Sequence, residues 1–317
     1  MRPLWKDVLT AVWLGMILPG IVLNAFVIKE RNREIQQVPP SENPSLEYTG
    51  YLIPVCNFEG ICTNMELEDY LTGVLLAEMP AEFHSEALKA QSVAARTYTW
   101  KGYTTGGKHG NGSVCTDSAC FQGYVSEEEY LSRGGTLENL TKVRQAVKAT
   151  SCMVLFYDSE LIEATYFSSS GGSTEAAAAV WGADYPYLQS VSSPEENQFV
   201  EVVSFTAAEF QHLIGKKCYG EPMDWFGTVS YTEGGGVLSM EICGESYSGV
   251  QLRTLLNLRS TAFQVAADDR TVTVTTRGYG HRVGMSQYGA NTMAENGCTW
   301  QKILQHYYPG TTIAPIC

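Results

Sequence analysis

A glutamate at the end of an apolar helical stripe is the residue in this sequence best placed to move a proton. Leu71, Val74 and Leu75 precede Glu78 by seven, four and three residues, which is the spacing of one helical face. A carboxyl group drawn onto such a face has its charged form disfavoured, so its pKa rises and it becomes a general acid at neutral pH. The same spacing also fits a glutamate at a fraying helix end that points to water just before Pro80. One helix further on, Lys89 and Arg96 lie seven residues apart on a shared face. They suit the holding of a polar or anionic substrate group, and equally a solvated surface.

A second group of residues has metal-ligand character. His109, Cys115 and Cys120 fall in the Gly-rich stretch GGKHGNGSVCTDSAC, where few hydrophobic neighbours account for two cysteines. An imidazole and two thiolates suit Zn2+ and leave a fourth position open; a Cys115–Cys120 disulfide is the rival reading. The segment RGYGHRVGMSQYGAN, residues 277–291, sets four glycines around His281, Ser286, Gln287 and Tyr288. Glycines at that density let backbone approach a ligand or turn tightly. The run Ser168-Ser169-Ser170-Gly171-Gly172 has a similar composition. The chain contains no GxSxG elbow, Walker loop, dinucleotide fingerprint or HExxH, so nucleotide chemistry and zincin proteolysis lose support.

The elements that must position these residues follow from periodicity. Helices are predicted over Glu66–Glu78, Ser85–Trp100 and Asn139–Thr150, with Pro80 stopping the first. CMVLFYD and LIEATYF read as a hairpin across Ser159-Glu160. Capping boxes at Thr206 with Glu209 and at Ser248 with Gln251 mark two later helix starts. Strand-like runs at Tyr51–Val55, Phe226–Tyr231, Val237–Cys243, Phe263–Ala266 and Thr271–Thr276 come in groups rather than in strict alternation with helices. That order predicts an α+β fold, a single mixed domain with predominantly antiparallel sheet and flanking helices.

The 317 residues are 44% hydrophobic and 17% charged, enough for a real core. A net charge of −13 argues against nucleic acid, which needs clustered Lys and Arg. Nine cysteines cannot all pair within one monomer. Cys56/Cys62 and Cys218/Cys243 sit near strand-like segments and suit disulfides, or small buried hydrophobes. From Val8 to Ile28 an uncharged run of 21 residues matches one bilayer crossing of roughly 30 Å. Residues 1–28 are expected to be a transmembrane anchor, 29–45 a polar, proline-containing linker, and 46–317 the folded domain.

Taken together, YLTGVLLAEMPAEFHSEALKAQSVAARTYTW, FSSSGGSTEAAAAVWGADYPYLQSV and GYGHRVGMSQYGA resemble the stage II sporulation protein D family, from about Pro54 to the C-terminus. The resemblance implies a lytic transglycosylase that cleaves peptidoglycan glycan strands between N-acetylmuramic acid and N-acetylglucosamine, leaving 1,6-anhydro ends. Its catalytic glutamate is that of the AEMP segment, here Glu78. It also implies strands stripped of stem peptides by a sporulation amidase of the SpoIIP type, and action within the engulfment membrane complex. The anchor would be single-pass with a cytoplasmic N-terminus, the catalytic domain lying outside the mother-cell membrane and facing the forespore. Some clostridial members bind Zn2+ through one His and two Cys, a pattern that His109, Cys115 and Cys120 match; Gln122 stands one residue further from the second cysteine than is usual. Lys89, Arg96, Ser170, His281, Gln287 and Tyr288 are expected to bind substrate. A hydrolytic muramidase and a non-catalytic, amidase-stimulating wall binder are the competing readings.

Overall fold

The computed structural model describes residues 50–57, 59–106, 112–193 and 199–316. The predicted anchor, the linker and His109 fall outside them. Among the described residues no helix is long and apolar enough to cross a membrane.

The chain opens with a hairpin, β1 (Leu52–Cys56) and β2 (Cys62–Glu66), closed by a Cys56–Cys62 disulfide. It enters α1 (Leu67–Glu78) directly, and Leu67, Tyr70, Leu71, Val74 and Leu75 are all fully buried. The helix ends where predicted, with Met79 extended ahead of Pro80. Next comes α2 (Ser85–Thr104), whose Ala87, Ala90, Ala94 and Ala95 are buried. Small side chains let α2 run through the centre of the core, with α1 and later helices packed closely around it.

After β3 (Val114–Cys115), which pairs in parallel with β1, come α3 (Glu127–Ser132) and α4 (Leu137–Ala149). The predicted hairpin is corrected here. It turns at Asp158 and Ser159, both at positive φ, between β4 (Met153–Tyr157) and a short β5 (Glu160–Leu161). The chain then leaves that sheet, and β6 (Tyr166–Phe167) instead pairs in parallel with a strand more than a hundred residues later. A period-2 pattern cannot distinguish a hairpin arm from a strand that changes partner.

Following α5 (Ala177–Trp181), a second hydrophobic core is assembled from an inserted segment. It comprises β7 (Val200–Thr206), α6 (Ala207–Ile214), β8 (Phe226–Tyr231), β9 (Val237–Ile242), β10 (Glu245–Ser248), α7 (Gly249–Leu255), β11 (Phe263–Ala267) and β12 (Thr271–Arg277). Two antiparallel sheets, ordered β11-β12-β7 and β10-β9-β8, enclose Phe210, Trp225, Leu252 and Val274, with a Cys218–Cys243 disulfide. Both capping boxes are present. The chain returns to the first core through β13 (Met285–Ser286), α8 (Gln287–Glu295), α9 (Trp300–Tyr307) and β14 (Thr312–Pro315). The fold is thus mixed α+β, with five small sheets among the described residues.

Candidate active site

Glu78 is the last residue of α1, and the segment that meets it is docked by its neighbours on the same helix. Tyr124 stacks on Tyr70 with centroids 5.7 Å apart, and the Val125 amide bonds the Gly73 carbonyl at 3.1 Å. Tyr124 lies so close to Gly73 that a Cβ there would fall 2.2 Å from its ring. This docking brings the Gly123 amide to 2.5 Å from Glu78 Oε1. The other carboxylate oxygen has no protein partner among the described residues. Burial raises the Glu78 pKa above the ordinary carboxylate range, and the Gly123 hydrogen bond opposes that shift in part.

Two clefts meet at this carboxyl. One, of about 310 Å³, is lined by Glu78 with Tyr98, Ser118, Phe121, Gln122, Thr165, Tyr166 and His281. The other, of about 440 Å³, is lined by Glu78 and Ser118 together with Thr116, Gly123, Tyr124, Tyr130 and Arg133. Glu78 is the only carboxylate among the described residues lining either one.

The first cleft is organised by hydrogen bonds. Tyr166 donates to Gln122 Oε1 at 2.8 Å, and Gln122 Nε2 donates to Thr99 at 2.8 Å. Burial, and then the charge of Glu78, raise the Tyr166 pKa, so its hydroxyl keeps its proton. The His281 ring lies between Phe167 and Trp181, at 5.6 and 5.3 Å. Its Nδ1 accepts from the Val283 amide at 3.1 Å, which leaves the proton of the neutral ring on Nε2. Burial, followed by the charge of Arg253, pushes its pKa down to about 4. His281 therefore serves as a neutral hydrogen-bonding group at neutral pH.

His281 is placed by its neighbour Arg282, which is fully buried at a φ of 66°. The Arg282 guanidinium donates to Ser170 O, Glu175 Oε1, Ser173 O and Gly234 O at 2.7 to 2.8 Å. This ties the Gly-rich segment to the Ser-Gly segment and to the inserted lobe. Gly284, with a φ of 84°, sits where a Cβ would lie 2.0 Å from the Thr165 carbonyl, so no other residue fits beside β6.

Several expected site residues lie elsewhere. Arg96 is fully buried and forked onto Glu68, with Nε and Nη2 at 3.1 and 2.6 Å from its carboxylate and further bonds to Val147 O and Met153 O. It forms a core ion pair with no surface left open to solvent. Lys89 is bound to Glu86 at 2.6 Å, whose other oxygen accepts from the Trp300 amide, so it helps fasten α2 to α9. Ser170 is buried and belongs to the Arg282 network. Gln287 is buried at the start of α8, and the Tyr288 ring lies edge-on to Phe83 and Phe199. None of these five lines the two Glu78 clefts. Conversely, Tyr98, Tyr166 and Gly123 gave no sequence signal, and Gln122 was marked only by its displaced position after Cys120.

Cys115 and Cys120 are thiols, not joined in a disulfide, and they hydrogen-bond one another. A tight turn links them, with the Cys120 and Phe121 amides both donating to Asp117 O. Burial and the neighbouring Cys120 push the Cys115 thiol up to about 11. Two soft donors side by side fit half of a zinc ligand set. The turn between them carries Ser118, which lines both clefts.

A family model described as "Stage II sporulation protein" matches residues 59–157, which contain Glu78 and the thiol pair. Stage II sporulation protein D of Bacillus subtilis (strain 168) is 41% identical over 259 residues, 79% of this chain and 75% of its own. The chain belongs to the stage II sporulation protein D family. The protein of that name from Bacillus amyloliquefaciens is 38% identical over 280 residues, 86% of this chain and 81% of its own. An amidase enhancer of Bacillus subtilis (strain 168) is 30% identical, covering 77% of this chain and 40% of its own. These matches make the chain a sporulation-family protein, and its chemistry has to be argued from the site.

Proposed function

We propose that this chain is a lytic transglycosylase of peptidoglycan glycan strands in sporulation, with Glu78 as its acid and then its base. The observation that carries the reading is a single carboxyl of raised pKa at the junction of two clefts, as a polymer cut within its length requires. Glu78 protonates the glycosidic oxygen between N-acetylmuramic acid and N-acetylglucosamine as the bond to C1 breaks. The resulting carboxylate takes the proton of the muramic acid C6 hydroxyl while that oxygen closes onto C1. One carboxyl serves both transfers and no water enters, whereas hydrolytic glycosidases set a second carboxylate at a defined separation. Gly123 holds one oxygen of Glu78 so that the other faces the sugar, while His281 and Tyr166, both neutral and hydrogen-bonded within the protein, form the cleft wall beside it.

The Cys56–Cys62 and Cys218–Cys243 disulfides fit an extracytoplasmic domain, in keeping with a membrane anchor at residues 1–28. The likeness to an amidase enhancer favours work beside an amidase that strips the strands. His109, Cys115 and Cys120 are proposed to hold one Zn2+, which would cross-link the turn carrying Ser118. On that reading the protein purified without chelator contains about one zinc by elemental analysis, and Cys115→Ser loses it with a fall in thermal stability.

Mass spectrometry of products from purified, peptide-free strands tests the activity. Anhydro-muramic ends support the transglycosylase, reducing ends identify a muramidase, and intact strands with a stimulated amidase identify a binder.

A further inference from the structure

The two Gly-rich segments have a second side. Ser169 and Tyr279 exchange backbone hydrogen bonds at 3.1 and 2.7 Å, joining the segments back to back. His281 faces the Glu78 cleft, while Gly172 and Arg277 line a separate cleft of about 290 Å³ with Tyr231, Gly235, Gln264 and Thr275 from the inserted lobe. The two clefts have no lining residue in common.

The composition of this cleft points to a ligand. Arg277 is exposed and has no ion pair among the described residues, although the chain carries a net charge of −13. Tyr231 presents half of its surface, 52%, to solvent at the end of β8, an open aromatic face of the kind that stacks on sugar rings. Gln264 and Thr275, opposite one another in the β11–β12 ladder, supply an amide and a hydroxyl. Gly172 and Gly235 adopt φ values of 129° and 79°, and a Cβ on either would meet nothing within 4 Å, so backbone is open to close approach. Beneath them the buried Arg282–Glu175 pair keeps the floor rigid.

We propose that this cleft is a second glycan-binding site, selective for a carboxylate-bearing, N-acetylated amino sugar. Tyr231 covers a sugar face, Arg277 takes the carboxylate, and Gln264 with Thr275 takes hydroxyl and acetamido groups. The proposal rests on the peptidoglycan reading above and adds a holding site remote from the scissile bond.

The test measures binding of the full-length Glu78→Gln protein, in which cutting is expected to be strongly slowed, to peptide-free muramic acid-containing strands and to chitin oligosaccharides, which lack the carboxylate. Adding Arg277→Gln is expected to weaken strand binding about tenfold, the size of a lost charge-assisted contact, and to leave chitin binding unchanged. Adding Tyr231→Ala should weaken both. With Glu78 intact, Arg277→Gln should raise KM for long strands and keep kcat on short fragments. Strand binding that ignores both substitutions, or that is absent in the parent, overturns the proposal. If the wild type releases no anhydro ends while binding still depends on Arg277 and Tyr231, the transglycosylase reading fails and the second site stands. Normal cleavage with binding indifferent to both residues removes the second site alone.

Discussion

At the scale of single residues, Glu78 is defined by burial opposed by one backbone hydrogen bond, and each term can be moved separately. Glu78→Gln keeps the shape and removes the proton, so strand cleavage should fall by two or more orders of magnitude in turnover assays. Because the wild-type pKa is raised in the fold, protonation is favoured there, and stability is lost as pH climbs through that value. The glutamine variant escapes this cost and should melt no lower than wild type above neutral pH. Gly123→Ala acts on the other term, since its Cβ would lie 3.1 Å from Oε1 and push the amide away. Losing a bond that favours the carboxylate raises the pKa further, so the alkaline limb of the rate profile should move to higher pH. His281, pushed down to about 4, adds no limb until the pH approaches that value. The sequence placed Glu78 at a helix end on an apolar stripe, but the same spacing fits a solvent-facing glutamate, so its burial was only one of two readings. Gly123 was not legible there, since its meaning comes from a contact 45 residues away.

At the scale of elements, local signals read well and partnerships read poorly. The helices, both capping boxes and most strand spans are set by neighbours within a few residues, so spacing revealed them. The exchange of partner by β6 and the burial of Arg96 depend on segments 28 to more than a hundred positions distant. From the sequence, Arg96 looks like a surface cation beside Lys89, yet the alanine-rich helix that carries it is sunk in the core and its charge is met by Glu68. Arg96→Ala would strand that carboxylate and is expected to cost about 3–5 kcal/mol in denaturant unfolding. In a sample kept folded, KM for glycan should stay unchanged, which separates an anchoring role from substrate binding.

At the scale of the whole molecule, two hydrophobic cores share one chain, and the second is inserted between β6 and β13 of the first. Both cores lie within one compact unit, residues 48–317, and their strands have the same alternation, so only their pairing separates them. The junction is polar: the buried Arg282 bonds Gly234 of the insert and Ser170, Ser173 and Glu175 of the main lobe. Cores joined through such a junction should open as separate cooperative units. The Cys218–Cys243 bond closes a loop of 25 residues wholly within the insert, a constraint worth about 3 kcal/mol. Replacing both cysteines by serine should therefore speed amide exchange across β7 to β12 and leave α1 and α2 protected. Cleavage of short strands should persist, because both Glu78 clefts are lined from outside the insert apart from the adjoining Gly-rich loop. Uniform loss of protection over both lobes would show that they fold as one unit, and the Arg282 junction would then be the strongest link in the molecule.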